Sequence, residues 1–311
     1  MHTPSALTRR HFIRTAALAT LAPSVGGALE NASPGFIDAH VHVWTPDTER
    51  YPISSDPGFK KHRTVESFTP EELFAHSRPQ GVARVVLIQM SFYKSDNRYM
   101  LDCIARHPGV FRGVAIVDET KADVCDTMKA LAKQDVRGFR LYTDREKAEA
   151  WQHSDTMKKM WGCAADEGLA MCLLADPESL PAVHRMCKAF PKTRVVIDHF
   201  ARISMKGAAQ QGQLDELCRL ADFEHTHVKT SAFYALGEKK APYTDMAPLV
   251  RRLRDTFGAS RLMWASDCPY QVQEGHTYAD SIAVIRDRLD FLSAEDKGWM
   301  LRKTAEKVFF A

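Results

Sequence analysis

The 311-residue chain has an ordinary globular composition, with 45% hydrophobic residues, 26% charged residues and a formal charge of +3. The basic residues are scattered, which argues against a nucleic-acid-binding protein, and no apolar run approaches the roughly 18 residues of a membrane-spanning helix. The length allows one large α/β domain or two smaller ones. The sequence does not indicate an oligomeric state.

The first 32 residues have the layout of a bacterial export signal. Arg9 and Arg10 precede a short run rich in Ala and Leu, and the small residues of "SVGGALENAS" follow. Paired arginines at this position are typical of twin-arginine signals. Removal of residues 1–32 leaves 39 basic and 38 acidic residues, a formal charge of +1. We therefore expect a leader over 1–32 and a periplasmic mature protein, or a cytoplasmic protein if the leader does not function.

Beyond the leader, short β-branched runs alternate with longer amphipathic runs. The predicted strands cover residues 36–43, 84–89, 112–117, 136–142, 169–174, 194–200, 227–232 and 261–267. Helical spacing of apolar residues lies between them, as in 95–108 and 176–191, where prolines end the runs. Eight strands with intervening helices predict an α/β fold, a single (β/α)₈ TIM barrel over 33–311. The rival fold, a doubly wound open sheet, lacks its usual GxGxxG after the first strand.

Two further features complete this outline. The longest irregular stretch, about 44–68, follows the first strand, so we expect it to form a lid or rim over the barrel mouth. The seven cysteines are odd in number and contain no CxxC pair. They predict neither a disulfide framework nor a structural zinc site, and we interpret most of them as small core residues.

The first strand, "FIDAHVHVW", contains two histidines one residue apart. Alternation along a strand places Asp38, His40 and His42 on one face and the apolar residues between them on the other. In a barrel the polar face would line the interior, near the C-terminal strand end where such folds hold their active sites. A second pair, His225 and His227, precedes the seventh strand, so we expect it at the opposite, structural end.

Two other strands also end in polar residues. "VVIDHFAR" places Asp198 and His199 at the end of the sixth strand, and "LMWASDCPY" places Asp267 at the end of the eighth. A carboxylate buried there needs histidines or a metal beside it. Singly, His199 could be a core histidine and Asp267 a helix cap. Together with the first pair they predict one active site at the barrel mouth, with Asp267 opposite the strand-one histidines.

These segments resemble the amidohydrolase superfamily, in the branch called amidohydrolase family 2. Within it they are most similar to the lactonase-like subgroup, which includes pyrone-dicarboxylate, sulfomucono- and sugar-acid lactonases. The resemblance covers about residues 34–311 and rests on "DAHVHVW", "SDNRYML", "VRGFRLY", "FPKTRVVIDHFAR" and "RLMWASDCPY". It implies a metal-dependent-type hydrolase that opens a lactone ring, with His40, His42, His199 and Asp267 as its active-site residues.

The same four residues could hold one divalent metal ion, with zinc preferred, because imidazole and carboxylate groups are zinc ligands. Two departures from the family pattern bear on this. The fourth strand has Arg140 and no lysine to carbamylate, which argues against a two-metal centre. The fifth strand ends in "LLADP", without the histidine typical of the family's metal-bound decarboxylases. Metal-dependent and metal-independent catalysis therefore both remain open.

The resemblance implies a mechanism in which Asp267 is the general base for an attacking water. The three histidines would polarise the ring carbonyl, directly or through a metal. The expected substrate is a small lactone that is either anionic or a sugar acid. The residues expected to bind it are Arg140, Tyr142, Asn97, Arg202 and Tyr234. Arginine matches a carboxylate through two hydrogen bonds, although either arginine could instead form an ordinary ion pair.

Two alternative functions remain at this point. The first is a metal-dependent decarboxylase, a lyase that acts on an unsaturated or aromatic acid in the same barrel. The second is an exported binding protein without catalytic activity. Turnover of lactones would separate the hydrolase from both.

Overall fold

The computed structural model describes residues 1–2, 35–207 and 210–311. Apart from residues 1–2, the leader predicted for 1–32 lies outside the described residues. The described residues from 35 onward form one compact unit. Among the described residues, no helix has both the length and the hydropathy needed to cross a bilayer.

Within the described residues, eight parallel strands form one sheet in which each strand pairs with the next along the chain. They are β1 (Phe36–Val41), β2 (Val82–Ile88), β3 (Phe111–Ala115), β4 (Val136–Thr143), β5 (Ala170–Ala175), β6 (Arg194–Ile197), β7 (Thr226–Ser231) and β8 (Leu262–Ala265). A bridge between Val41 and Cys268, and a hydrogen bond from His42 N to Cys268 O, bring β8 back beside β1. The sheet thus closes into the predicted barrel.

Helices pack around this barrel in the order that the sequence predicts. Their bounds are α1 (Pro57–Lys60), α2 (Pro70–Ser77), α3 (Arg98–Arg106), α4 (Val124–Ala132), α5 (Arg145–Trp151), α6 (Asp155–Asp166), α7 (Leu180–Ala189), α8 (Gln211–Arg219), α9 (Ala247–Phe257), α10 (Tyr278–Ala283) and α11 (Ala294–Gly298). π-Helical turns follow at Val284–Arg288, Trp299–Lys303 and Glu306–Phe310. Thr69 and Glu72 form a capping box at the start of α2, where they satisfy free backbone N–H groups.

Two buried apolar clusters show which way each strand residue faces. The larger cluster, which includes Leu87, Leu173 and Ile197, lies between the strands and the surrounding helices. The smaller one lies inside the barrel and includes alternate residues such as Val86 and Val196. Val308 and Phe309 of the C-terminal turn join this inner cluster. The interior of the barrel is therefore packed, and the C-terminal strand ends are where barrels of this kind hold their active sites.

The first strand departs from simple alternation. A register shift against β2 lies between Asp38 and Val41. Ala39 belongs to the inner apolar cluster, next to the inward-facing His40. Asp38 instead turns outward and accepts a hydrogen bond of 2.7 Å from the hydroxyl of Tyr278 on α10. The prediction that Asp38 shares the inner face with the histidines is therefore wrong, because a β-bulge changes the side to which successive residues point.

The structure contains one disulfide among the described residues, which the sequence analysis did not predict. Cys125 of α4 and Cys163 of α6 form a disulfide across 38 residues of sequence. The other five are free and buried, which confirms the interpretation of most cysteines as core residues: Cys103, Cys172, Cys187, Cys218 and Cys268. The sequence did not predict this disulfide, because the spacing of cysteines along a chain does not show which of them are bonded.

Candidate active site

Four predicted residues meet where β1, β6 and β8 end. The Nε2 atoms of His40 and His42 lie 3.5 and 3.3 Å from Oδ1 of Asp267, and 3.2 Å from each other. Nε2 of His199 lies 3.7 Å from Oδ2 of the same carboxylate. All four side chains are buried. The structure thus brings together the imidazoles and the carboxylate that the sequence singled out.

Asp267 lies beside the strand-one histidines, not opposite them. Its backbone N–H donates to the carbonyl of His40 at 2.9 Å. The expectation that it faces them across the mouth was wrong because the first and last strands of a closed barrel are neighbours. The backbone φ of Asp267 is 65°, a left-handed conformation that is uncommon for non-glycine residues and is often found at functional sites.

Hydrogen bonds determine which nitrogen of His42 carries its proton. Nδ1 of His42 lies 2.8 Å from the carbonyl oxygen of Ile88, and because a carbonyl only accepts, Nδ1 must be the protonated nitrogen. Nε2 of neutral His42 therefore directs a lone pair at Asp267. A lone pair and a carboxylate oxygen attract each other only through a proton or a cation between them.

These donor atoms fit a divalent metal ion. Oδ1 of Asp267 is buried and has no hydrogen-bond partner among the described residues. The three separations among His40 Nε2, His42 Nε2 and Asp267 Oδ1 are close to the edges of roughly 3.3 Å expected for tetrahedral zinc ligands with 2.0–2.1 Å bonds. The far nitrogens of the two histidines contact the Ile88 carbonyl and the Asp198 carboxylate, as in protein metal sites. His40, His42 and Asp267 together could therefore hold a metal ion.

Behind His40 lies a buried ion pair that sequence analysis did not identify. Lys229 of β7 and Asp198 are fully buried, with 2.9 Å between Nζ and Oδ1. They contact Nδ1 of His40 at 3.2 and 3.4 Å respectively. The missed signal was the alternation of β7, which puts Lys229 on the inner face together with His227 and Ser231.

Burial and neighbouring charges set the protonation states of the site. Burial and the Lys229 ammonium hold the pKa of His40 well below its usual value, and burial lowers the pKa of His199. Burial alone would raise the pKa of Asp267, but its interactions with His199 and His42 outweigh burial and keep that pKa below its usual value. At neutral pH His40 is therefore neutral and Asp267 is ionised.

Tyr234 completes the surroundings of Asp267. Its hydroxyl donates to Oδ2 at 2.7 Å. Burial and the nearby carboxylate raise the pKa of Tyr234 well above its usual value, so the hydroxyl keeps its proton. One oxygen of Asp267 is thus held by a fixed donor while the other faces His40 and His42.

The site opens into a cavity of about 1040 Å³. The 44–68 segment contributes Asp56, Phe59, Lys61 and His62 to its wall, as predicted for a lid or rim. The hydroxyl of Tyr270, after β8, donates to the carbonyl of His62 at 2.7 Å. A hydrogen bond therefore connects this lid segment to the strand end that carries Asp267.

The amidohydrolase family model matches residues 37–311, nearly all of the described chain. The chain belongs to amidohydrolase family 2. It is 29% identical to an L-fucono-1,5-lactonase of Burkholderia ambifaria over 77% of this chain and 82% of that one. It is 27% identical to a 2-pyrone-4,6-dicarboxylate hydrolase of Comamonas testosteroni over 80% of this chain and 82% of that one.

Two solved structures share the barrel of this amidohydrolase. One, from Pseudomonas putida, is described as a 2-pyrone-4,6-dicarboxylic acid hydrolase. Its TM-score is 0.75 and its identity 24%, over 89% of this chain and 98% of that one. An amidohydrolase from Burkholderia multivorans with bound zinc has a TM-score of 0.74 and 18% identity, over 88% of this chain and 99% of that one. At these identities the likeness shows the fold alone.

Four of the five residues predicted to bind substrate line the cavity of the amidohydrolase: Arg140, Tyr142, Arg202 and Tyr234. Arg140 is half-buried, forms no ion pair with any described residue and donates only to the carbonyl of Gln89, at 3.3 Å. Arg202 pairs with Asp176 at 2.5 Å and lies 5.2 Å from the ring centre of Tyr142. Arg140 is therefore the arginine that remains available for an anionic ligand.

Asn97 has a different position from the one predicted. It is 6% exposed and is not among the described residues that line the cavity. Its Nδ2 donates to the carbonyl of Ile116 at 2.8 Å, and its Oδ1 accepts from the backbone N–H of Ile116 at 3.1 Å. The prediction that Asn97 binds substrate is wrong, because both ends of its side-chain amide form hydrogen bonds that connect the start of α3 to the end of β3.

Proposed function

We propose that this amidohydrolase is a lactonase that hydrolyses the ester bond of a small anionic lactone. The observation that carries the proposal is the buried Asp267 carboxylate, held by Tyr234 and met by three histidine Nε2 atoms at the base of a cavity. The relatives from B. ambifaria and C. testosteroni are named for lactone hydrolysis, which supports the same reaction class here.

Asp267 acts as the general base. A water beside its carboxylate transfers a proton to it and attacks the carbonyl carbon of the lactone. The ester carbon–oxygen bond then breaks, and the proton returns from Asp267 to the leaving oxygen. Water and lactone thus become one hydroxy acid, or its keto form where the leaving oxygen is an enolate.

The histidines stabilise the negative charge that develops on the carbonyl oxygen. Nδ1 of His199 lies 2.8 Å from Oγ of Ser231, and this hydroxyl can donate to it. Nε2 of His199 then carries the proton and can donate to the oxyanion. The hydroxyl of Tyr234 donates to Oδ2 of Asp267, so that the carboxylate keeps one orientation through the reaction, with its other oxygen facing His40 and His42.

We propose zinc as the metal that His40, His42 and Asp267 would hold. When bound, a divalent ion lowers the pKa of water and polarises a carbonyl, which would complement a carboxylate with a low pKa. The nitrogen and oxygen donors suit zinc, and a structural neighbour contains it.

Lactone turnover by wild type and Asp267→Asn tests the proposal. A pH indicator follows acid release from a panel of anionic and neutral lactones, with and without a chelator. We expect wild type to hydrolyse anionic lactones and Asp267→Asn to lose activity by a factor of about 10²–10⁴, with an unchanged circular dichroism spectrum. Near-normal turnover by Asp267→Asn would refute Asp267 as the base.

No specific observation favours the decarboxylase alternative. Such an enzyme would use a histidine at the end of β5, but this chain has Ala175 and Asp176 there. Asp176 is already paired with Arg202. Carbon dioxide release without any lactone turnover would restore this alternative.

We also propose that the protein is exported through a leader over residues 1–32 and works in the periplasm. The Cys125–Cys163 disulfide supports an oxidising destination. Fractionation of cells that produce the full chain, compared with an Arg9→Lys/Arg10→Lys variant, tests this. We expect the wild type in the periplasm and the variant retained in the cytoplasm; equal distribution of the two would contradict a twin-arginine leader.

A further inference from the structure

The cavity is much larger than the proposed chemistry requires. Its volume of about 1040 Å³ lies at the upper end of the range for pockets that enclose drug-sized ligands. A lactone ring with one carboxylate would occupy only the part beside Asp267. The remaining volume can therefore hold a large substituent of the substrate.

The wall far from Asp267 includes a group of apolar side chains. Ile116, Trp151, Met157 and Leu174 line it. They come from the β3 to β5 side of the barrel, and β4 and β5 lie opposite β8 and β1 in the closed strand order. A group attached to the reacting ring and directed away from Asp267 would therefore contact hydrocarbon and aromatic surface.

Exposed apolar side chains at the cavity rim provide a second observation. Apart from Met1, the large hydrophobic residues exposed among the described residues are Tyr142, at 47%, and Met205, at 40%. Both line this same cavity. These two side chains extend the apolar surface of the cavity to its rim, where a large apolar substituent would contact them.

Apart from Asp267 and the histidines, the charged residues around the cavity are mainly basic: Lys61, Lys94, Arg140, Lys147 and Arg202, against Asp56 and Glu119. Arg140, Lys61 and Lys94 line it and form no ion pair with any described residue. Among the described residues that line the cavity, the serines and threonines are Ser91, Thr120 and Ser154. Ile116, Met157 and Leu174 offer no hydrogen-bonding side-chain groups, so hydroxyl groups of a substituent placed against them would be buried without partners, which is costly.

We infer that the substrate is a lactone that carries both a carboxylate and a large apolar substituent, an aryl or extended alkyl group, and not a polyhydroxylated sugar lactone. The carboxylate lies at Arg140 and the apolar group against Leu174, Trp151 and Met157. This inference rests on the proposed lactonase function and adds to it the class of substrate.

A matched set of lactones tests it. All members have the same ring and carboxylate, and the side chain is absent, phenylalkyl, or polyhydroxyalkyl with the same number of heavy atoms. We expect kcat/KM of wild type to rise about fourfold for each buried methylene and to be at least tenfold higher for the phenylalkyl than for the polyhydroxyalkyl member.

Two variants locate the preference in the apolar wall. Leu174→Asn and Met205→Ser should each reduce the kcat/KM ratio of phenylalkyl to polyhydroxyalkyl lactone by at least fivefold. Met205 is exposed, so its change leaves folding intact even if Leu174→Asn does not. The matched control, Leu101→Asn on half-buried Leu101 of α3, should leave the ratio unchanged.

The outcomes separate the two proposals. Equal or higher kcat/KM for the polyhydroxyalkyl lactone, or an unchanged ratio in both wall variants, overturns the substrate class while lactonase activity stands. Failure of the wild type to open any member of the set overturns the lactonase function itself, and the substrate class falls with it.

Discussion

The hydrogen bond from His42 to the Ile88 carbonyl has consequences beyond one side chain. Because it leaves a lone pair on Nε2 facing Asp267, the pair needs a proton or cation to be stable. His40 meets the same carboxylate oxygen from a second direction. The arrangement is therefore suited to bind a cation between His40, His42 and Asp267.

Zinc should therefore stabilise the folded protein through these residues. In wild type stripped with a chelator, added zinc should raise the melting temperature, with a gain of about 2.7 kcal/mol at a hundredfold excess over the Kd. Asp267→Asn should lose most of this shift because one ligand is gone. The half-buried His225, which lies outside this group of ligands, offers a control, since His225→Gln should respond like wild type. A wild type that zinc does not stabilise would contradict the metal site.

Tyr234 is expected to be important for turnover. Tyr234→Phe removes the donor to Oδ2 of Asp267, and a hydrogen bond to a charged group contributes about 1.5–3 kcal/mol. We expect kcat to fall about 10- to 100-fold, measured by steady-state lactone hydrolysis. Tyr270→Phe is the matched control, because that hydroxyl binds the lid carbonyl of His62. Equal losses of kcat in the two variants would contradict a specific role for Tyr234.

Among the structural elements, the strands were predictable and the bulge was not. Strand positions follow from β-branched runs and agree within three residues at each end, and four active-site residues follow from where strands stop. The bulge in β1 depends on pairing with β2, which no local pattern encodes, so the orientation of Asp38 was missed. Asn97 was misassigned for a similar reason, because its partner Ile116 is distant in sequence.

Strand β7 carries the group that sequence analysis passed over. Lys229→Met would leave the fully buried Asp198 without its counter-charge. Loss of one partner from a buried ion pair costs about 3–5 kcal/mol, so the free energy of unfolding in urea should fall by about that amount. The double variant Lys229→Met/Asp198→Leu should recover part of the loss, because no unpaired charge remains.

The exposed ion pair between Arg98 and Asp96, at 2.6 Å, provides the comparison. Arg98→Met should lower the free energy of unfolding by at most about 1 kcal/mol, because water screens surface pairs. If Lys229→Met cost no more than Arg98→Met, the buried pair would not contribute to stability as proposed.

For the whole molecule, closure of the barrel creates the site. Asp267 and His40 are 227 positions apart in the chain and become neighbours only when β8 pairs with β1. The same closure separates the active His-x-His pair from the second one. His227 faces inward on β7, and its Nδ1 donates to the carbonyl of His225 at 3.0 Å. This second pair therefore lies at the opposite end of the strands from the active site, with His225 before β7 and His227 on it.

His227 should make the stability of the whole protein depend on pH. Burial, with a smaller effect from Arg194, lowers its pKa from 6.5 to about 4. Between these values the unfolded chain binds a proton that the folded protein does not. Stability is therefore lost as the pH falls from 6.5 to 4, by about 3 kcal/mol in total. Below pH 4 both states are protonated, and this residue causes no further loss.

Urea unfolding at pH 7, 5.5 and 4 measures this contribution as a difference between variants. Other groups also titrate in this range, but they are common to wild type and His227→Gln and cancel in the comparison. We expect the variant to lose less stability than wild type over the window. His225→Gln should follow wild type, because the His225 side chain is 44% exposed and its ion-pair partner among the described residues is the exposed Glu224. The same pH dependence in His227→Gln and wild type would show that burial of His227 does not control its protonation.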